Sequence, residues 1–543
     1  MTPILSQILE KRNITDIESF LDPKLKDTMR DPLEIPNMRE AADRFIEALE
    51  NKQKIGIFGD YDVDGGTSVA LLMRVFKDVP FEVYIPNRLT EGYGPNKQAM
   101  DYFKDKGVDL VVFVDCGTQA IEVLEYAKGL GLDLIVLDHH VSHDPLCEHA
   151  IIVNPNAHAD VDVSFKNLCA AGVTFLFITV LVKKFPGHKN ILLQNLDLVA
   201  LGTVCDIMPL LGLNRAIVKQ GLKVANLQQN HGITALSSIS GIEGEIKSEH
   251  FGFHIGPRIN AGGRTGRSDF GYKILSTNCQ TEAILHATEL NKLNTERKDI
   301  QQTILDEAIE EIERKNLNRN NVLLLGQQHW HPGVIGVVAG RIKDIYHKPA
   351  LIVGFNENAL GIGSGRSPDN FSVLDHISEA TKQEIILGGG GHACAFGFKL
   401  TFDQLEPFHE FLIHKTKELE IPEKTHDVDV ELESFEFFSH ELVQDMAKLE
   451  PFGHKNPEPV FRIKNVILES FDILKGRHFK GIFRDQNGRT MKGMCFDFQY
   501  KYLSTDLEML EKNTPVEIIV RLSSNEWMGQ LQLTLHILDL TVM

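Results

Sequence analysis

Between residues 41 and 210, short apolar runs alternate with stretches of helical character. The runs are IGIF (55–58), FEVYI (81–85), LVVFV (110–114), LIVLD (134–138) and AIIV (150–153). Strands that are apolar without interruption, separated by helices, belong to parallel sheets covered on both faces. The pattern predicts a parallel α/β sheet here.

Several of these runs end on acids. GDYDVDGGTS (59–68) follows IGIF and places Asp60, Asp62 and Asp64 in alternation. Asp115 ends LVVFV, and Asp138, His139 and His140 close LIVLDHH. Asp206 follows the apolar run LVALGTVC, just before Pro209. All strands of a parallel sheet end at one edge, where ligand sites gather. Acids distant in sequence should therefore converge there. Five or six carboxylates together repel one another and need cations.

Oxygen-rich ligation with one or two imidazoles suits Mn²⁺ or Mg²⁺ better than Zn²⁺. So many ligands fit two ions about 3.5–4 Å apart, which turn a bound water into a nucleophile against a phosphoester. A lone Asp after a strand is ordinarily an N-cap. Four such elements together carry the metal reading. Asp138 reads as a ligand or as a group orienting a histidine, and Asp60 as a ligand or a ligand's neighbour.

The rest of the chain sets this domain in context. Residues 1–40, broken by Pro23, Pro32 and Pro36, read as a docking arm of short helices, followed by the domain at 41–210. A helical region covers 211–316. Its last part, Glu282 to Arg314, is expected to be a long connecting helix packed through Ile300, Ile304, Ala308 and Ile312. A second α/β domain is expected at 317–424, opening with NVLLLG. Residues 425–543 are strand-rich, with QNG (486–488) as a hairpin turn, and fit an OB-like β-barrel.

A formal charge of -19 confines any nucleic-acid contact to a groove of locally positive potential. From Asn456 to Phe498 eight Lys/Arg face five Asp/Glu. There Phe479, Phe483, Phe496 and Phe498 interleave with Lys480, Arg484 and Lys492. That is the composition of a single-strand stacking surface, although strand alternation sends most such phenylalanines into the core. Seven scattered cysteines without a CxxC pair argue against disulfides and structural zinc. The start MTPILSQILEKRN lacks a signal-peptide core, and no apolar run reaches about 18–20 residues. A cytoplasmic protein with no membrane association is expected.

The strand-end motifs resemble those that define the DHH phosphoesterase superfamily. GPRINAGGRTGR (256–267) is similar to a stretch of the bacterial RecJ exonucleases. HPGVIGVVAGRI (331–342), GSGRS (363–367) and GGGGHACAFGF (388–398) resemble the associated DHHA1 domain. LEPFGHKNPEPVF (449–461) resembles the approach to the RecJ OB-fold. The resemblance implies a metal-dependent 5′→3′ exonuclease acting on single-stranded DNA in recombination and repair.

It also implies metal ligands at Asp60, Asp62, Asp64, Asp115, His139 and Asp206, with His140 near the reacting phosphate. Asp62, Asp115 and His140 would carry catalysis. Single-stranded DNA is the implied partner, joined by a helicase or a single-strand-binding protein. Two other readings compete: a DHH enzyme for short oligonucleotides or cyclic dinucleotides, and a scaffold that binds strands without cutting. The first usually lacks the barrel and GPRINA, and the second tends to lose the ligands.

Substrate-holding groups are expected outside the metal cluster. Arg258 and Arg264, with Asn260 between them, would clamp the DNA backbone by bidentate guanidinium contacts. Ser364, Arg366 and Ser367 would hold a terminal phosphate from a flexible glycine setting. The glycine loop before His392 would cradle phosphate with its N–H groups. Three positions depart from the family pattern. Gly66 replaces a larger residue, Phe396 a small one and Lys455 a glycine. Phe396 is expected to narrow the substrate path, and Lys455 to alter a turn.

Overall fold

The structure, a computed structural model, describes all residues except positions 89, 93, 143–144, 265, 370, 423, 501–502, 504–509 and 528–529. Two compact units share the chain. One comprises Asp16–Thr295 with Lys448–Glu458. The other comprises Met1–Thr15, Glu296–Ala447 and Pro459–Met543.

The first unit holds the expected parallel sheet. Its strands are β1 (Ile55–Gly59), β2 (Glu82–Tyr84), β3 (Leu110–Val114), β4 (Asp133–Leu137) and β5 (Ile151–Val153), in the order β2-β1-β3-β4-β5. Every pairing is parallel. β1 and β3 are buried along their whole length, as continuous apolar runs require. Helices cover both faces and form two cores, one around Phe45, Leu72 and Phe177, the other around Phe58, Phe103 and Phe113.

A helical region follows, as expected from 211 onward. Within it Arg215 is 1% exposed. Its guanidinium donates to the carbonyls of Phe20, Leu449, Glu450 and Pro451. This ties the LEPFGHKNP segment into the first unit. Lys455 adopts φ +62°, the left-handed conformation that glycine takes without steric cost. At Gly66 a Cβ would sit 3.5 Å from the Gly271–Tyr272 backbone, an ordinary contact.

The long helix runs from Gln280 to Arg314. Ile304, Ala308 and Ile312 are buried, but Ile300 is exposed, so the packed stripe starts one turn later than the spacing predicts.

In the second unit, β6 (Leu323–Gln327), β7 (Ala350–Phe355), β8 (Leu360–Arg366), β9 (Gly388–His392) and β10 (Ala395–Thr401) form a mixed sheet in the order β6-β7-β8-β10-β9. A barrel follows: β12 (Phe461–Leu474), β13 (His478–Arg484), β14 (Thr490–Cys495), β15 (Thr514–Trp527) and β16 (Gln530–Val542). The order β12-β13-β14-β16-β15 closes through β12–β15, giving the five-stranded OB-like barrel expected. The short strand β11 (Val430–Leu432) pairs parallel with β12. A helix at His440–Leu449, which the strand-rich reading did not foresee, precedes the barrel. The N-terminal helix Pro3–Lys11 docks in this unit, through Thr2 N–H to Asp445 and an Arg12–Asp429 ion pair at 2.7 Å.

Among the described residues, no helix is long and apolar enough to cross a membrane.

Candidate metal centre and substrate-facing groups

The sheet order sets the site. β1, β3 and β4 are neighbours, and their registers pair Gly59 with Val114 and Val114 with Leu137. Asp60, Asp115 and Asp138 are the next residues of each strand, so they emerge side by side at one edge. Asp115 takes φ +62° and donates its N–H to the Leu137 carbonyl at 3.0 Å. The left-handed backbone, which Asp tolerates better than most residues, redirects its side chain at the strand end.

The loop after β1 is built around its own carboxylates. Asp62 N-caps the helix Val63–Val75, one oxygen accepting from the N–H groups of Asp64 (2.9 Å) and Gly65 (3.2 Å). Asp64 accepts from Ala170 N–H (2.6 Å) and Ala171 N–H (2.9 Å), the first residues of the helix Ala170–Lys184. That helix end favours its negative charge. Gly65 is obligatory, because a Cβ there would lie 2.4 Å from the Asp60 carbonyl oxygen. Asp206 closes the helix Leu196–Cys205.

His139 joins these groups. Its Nε2 lies 3.3 Å from Asp115, 3.6 Å from Asp206 and 3.7 Å from Asp64. Three overlapping sets result: Asp60, Asp62, Asp115; Asp115, His139, His140; and Asp64, His139, Asp206. In each, the ligand atoms lie within 4.8 Å of one another. All six expected ligands are thus brought together. Asp138 belongs to none of these sets. It accepts from Thr118 N–H (3.1 Å), His139 N–H (2.7 Å) and His140 N–H (3.2 Å), and its Oδ1 lies 2.7 Å from His140 Nδ1. These bonds hold the His140 ring and backbone against Asp138.

The electrostatics agree. Burial, then neighbouring carboxylate charge, pushes Asp60 and Asp115 well above the usual carboxylate range and Asp206 up to about 8. Burial also raises Asp64 and lowers His139, keeping the imidazole neutral as a ligand must be. At Asp138 burial works upward, but the hydrogen bond and charge of His140 outweigh it and hold the carboxyl low. The same contact raises His140 to about 9 against its own desolvation. Asp60 Oδ1 and Asp206 Oδ2 are buried without a hydrogen-bond partner. Orphaned carboxylate oxygens in an oxygen-rich set with one imidazole fit Mn²⁺ or Mg²⁺.

GPRINAGGR is a helix, Gly256–Arg264. It lies on the carboxylate segment: Asn260 Oδ1 accepts the Val63 N–H at 3.1 Å, and a Cβ on Gly263 would meet the Tyr61 ring at 2.4 Å. Arg258 donates to Asn291 Oδ1 (3.0 Å) and to the His254 carbonyl (2.7 Å). Arg264 ends the helix, and its charge is felt at Tyr61. The sequence reading missed Arg88. Its guanidinium sits 5.0 Å over the Tyr61 ring, and its charge lowers Asp60. The available signal was a cation just past β2, at the same sheet edge.

In the second unit, GSGRS and GGGGH lie largely on strands rather than in the flexible loops expected. Ser364 and Arg366 lie on β8, and His392 ends β9. Register aligns Ser364, Gly397 and Gly390 in one row, and Arg366, Ala395 and His392 in the next. The face is therefore floored by glycine and edged by a guanidinium and an imidazole. Arg366 donates to Ser364 Oγ (3.1 Å) and the Gly365 carbonyl (2.8 Å), and Ser367 is buried with its hydroxyl unpartnered. Phe396 does not narrow a path. It is 4% exposed and fills the opposite, inward face, where a Cβ on Gly365 would meet its ring at 2.1 Å. On the barrel, Phe479, Phe483 and Phe498 are core, and Phe496 alone of the four is exposed.

Carboxylates and an imidazole arranged in this way at the strand ends of a parallel sheet define a metal-dependent phosphoesterase of the DHH class. Family models match accordingly: the DHH family N-terminal domain at 54–203, the DHHA1 domain at 319–418 and the RecJ OB domain at 428–539. The single-stranded-DNA-specific exonuclease RecJ of Bacillus subtilis is 33% identical over 556 residues, covering 100% of this chain and 68% of that protein. The Haemophilus influenzae RecJ is 30% identical, covering 98% and 95%. RecJ of Thermus thermophilus in complex with Mn²⁺ superposes with a TM-score of 0.84 at 26% identity, covering 99% of this chain and 76% of that one. Its Mg²⁺ complex gives 0.77, covering 99% and 74%. The chain belongs to the RecJ family.

Proposed function

We propose that the protein is a single-stranded-DNA-specific exonuclease that removes mononucleotides in the 5′→3′ direction, in the cytoplasm, during recombination and repair. The observation that carries this is the convergence of Asp60, Asp62, Asp64, Asp115 and Asp206 on His139, whose Nε2 lies 3.3–3.7 Å from three of those carboxylates. Two Mn²⁺ or Mg²⁺ ions held there would supply an activated water and offset charge on the phosphate.

The chain's own residues do the rest. Asp138 fixes His140 through Nδ1 and favours its protonated form, suited to a phosphate oxygen or a leaving group. Asn260 and the Asp62 cap hold the ligand loop in place. Arg258, Arg264 and Arg88 supply positive charge beside the carboxylates. Ser364, Arg366 and His392 border a floor without side chains on which a phosphate backbone can lie flat. The polarity and the repair setting rest on family membership. A helicase that exposes the strand, or a single-strand-binding protein that holds it, is the natural partner.

The test uses 5′-labelled single-stranded DNA, duplex DNA and a dinucleotide, each with Mn²⁺ or EDTA. Metal-dependent release of label from the single strand is expected. Cleavage of the dinucleotide alone would favour a small-substrate enzyme. Metal-independent binding without cleavage would favour a scaffold.

A further inference from the structure

Among the large apolar side chains described, Phe253 (79%) and Ile207 (68%) are the most exposed. Both flank Asp206. Ile207 follows it directly and takes φ +57°, a left-handed conformation that glycine commonly fills at helix ends and that a β-branched residue rarely adopts. Surrounding bonds impose it. The Ile207 carbonyl accepts from His454 Nδ1 at 2.8 Å, and Leu210 N–H donates to the His454 carbonyl at 2.9 Å.

Phe253 is the middle residue of a five-residue π-helical turn, Phe251–Ile255. The ends of that turn are 0% exposed. They are locked onto the residues before Asp206. The Cys205 thiol donates to the Phe251 carbonyl at 3.4 Å, and a Cβ on Gly256 would lie 2.4 Å from Cys205 Sγ. π-turns are rare and concentrate at functional sites. Here one exposes a phenylalanine on a turn that packs against Cys205, the residue before Asp206.

We propose that Phe253 and Ile207 form an apolar jaw for one nucleobase of the strand whose neighbouring phosphate lies at the metal centre. The inference rests on the exonuclease reading and deepens it. A polyanion that carries flat apolar rings is the substrate class that calls for exposed apolar side chains beside a cation-holding cluster. The helix that starts at Gly256 continues to Arg258 and Arg264, so base and backbone would be met by one segment. A base in a duplex is paired and stacked on both sides and cannot enter. The jaw therefore favours single strands where the chemistry occurs, without reading sequence.

The test is a substrate–protein cycle on the full chain. Oligonucleotides carry one abasic site at each of the first positions from the cleaved end. KM is read with Mn²⁺, and equilibrium binding is read by anisotropy with EDTA. For the wild type, one abasic position should weaken binding on the order of tenfold. Phe253→Ala should lose as much on intact DNA and nothing more on that abasic substrate. Ile207→Ala should show the same position, and Phe253→Trp should restore affinity. Unchanged melting temperatures would confirm that the variants fold. Losses that multiply at every position, or a Phe253→Ala variant that binds like wild type, would overturn the jaw. A wild type that cuts no single strand with Mn²⁺ would instead sink the exonuclease reading, while the EDTA binding cycle would still judge the jaw.

Discussion

Asn260 accepts the Val63 amide proton at 3.1 Å, so a helix almost two hundred residues downstream holds the loop that carries three of the proposed metal ligands. Asn260→Ala would leave that amide unpaired and loosen Asp62 and Asp64. Positioning groups of this kind are worth about 10–100-fold in metal affinity. Mn²⁺ titration by calorimetry should show a loss in that range, with binding of single-stranded DNA in EDTA nearly unchanged. A variant with wild-type Mn²⁺ affinity would contradict the role.

Asp62 caps a helix and is a proposed metal ligand, and substitutions separate the two roles. Asp62→Asn keeps an acceptor for the Asp64 and Gly65 amides and removes the charge. Asp62→Ala removes both, and costs about 1 kcal/mol of stability as well. Both should cut hydrolysis by orders of magnitude while DNA binding survives. Only the alanine variant should melt lower. If Asn and Ala variants lose stability equally, the cap is not what holds this loop.

Gly397 sits at the centre of the glycine-floored face, with only the Gly363 carbonyl near a built Cβ, at 3.8 Å. Gly397→Val should fold, since valine suits a strand. It would raise a wall between Ser364 and Gly390. Single-strand affinity, measured by anisotropy, should fall on the order of tenfold, as for loss of one good contact of about 1–2 kcal/mol. Affinity equal to wild type would mean the strand does not cross this face.

Asp197 is 1% exposed, and burial, only partly offset by Arg74, raises its carboxyl to about 7 from an ordinary 3.8. A raised folded value means the stability contribution is complete below pH 3.8 and is lost as pH rises through 7. The full swing is on the order of 4 kcal/mol. Asp197→Asn cannot ionise. Urea denaturation of both proteins should therefore show the variant gaining on the wild type between pH 4 and pH 8. A constant difference across that window would show that Asp197 is ionised throughout.

Much of the site was legible in the residues. Asp60, Asp115 and His139 follow apolar runs, and a parallel sheet leaves such residues no other edge to occupy. Roles were less legible than positions. Asp138 reads as either a ligand or an orienting group, and only the structure brings out its contacts with His140 and Thr118. GSGRS and GGGGH read as loops because glycine ordinarily marks turns. They form strands because Phe396 and Phe398 fill the space their missing side chains leave on the inward face. Arg88 carried no motif at all.

The sequence alone determined the acids and imidazoles at the strand ends and the α/β and barrel classes, because periodicity and strand-end chemistry are local properties of a chain. The tertiary structure decided that Asp138 bonds His140 and stands outside the carboxylate sets, that Asn260 accepts from Val63, and that Ile207 and Phe253 stand exposed. Those outcomes depend on what segments far apart in sequence place against each side chain. Hydrogen bonding, burial and charge are set by those neighbours, and no local pattern encodes them.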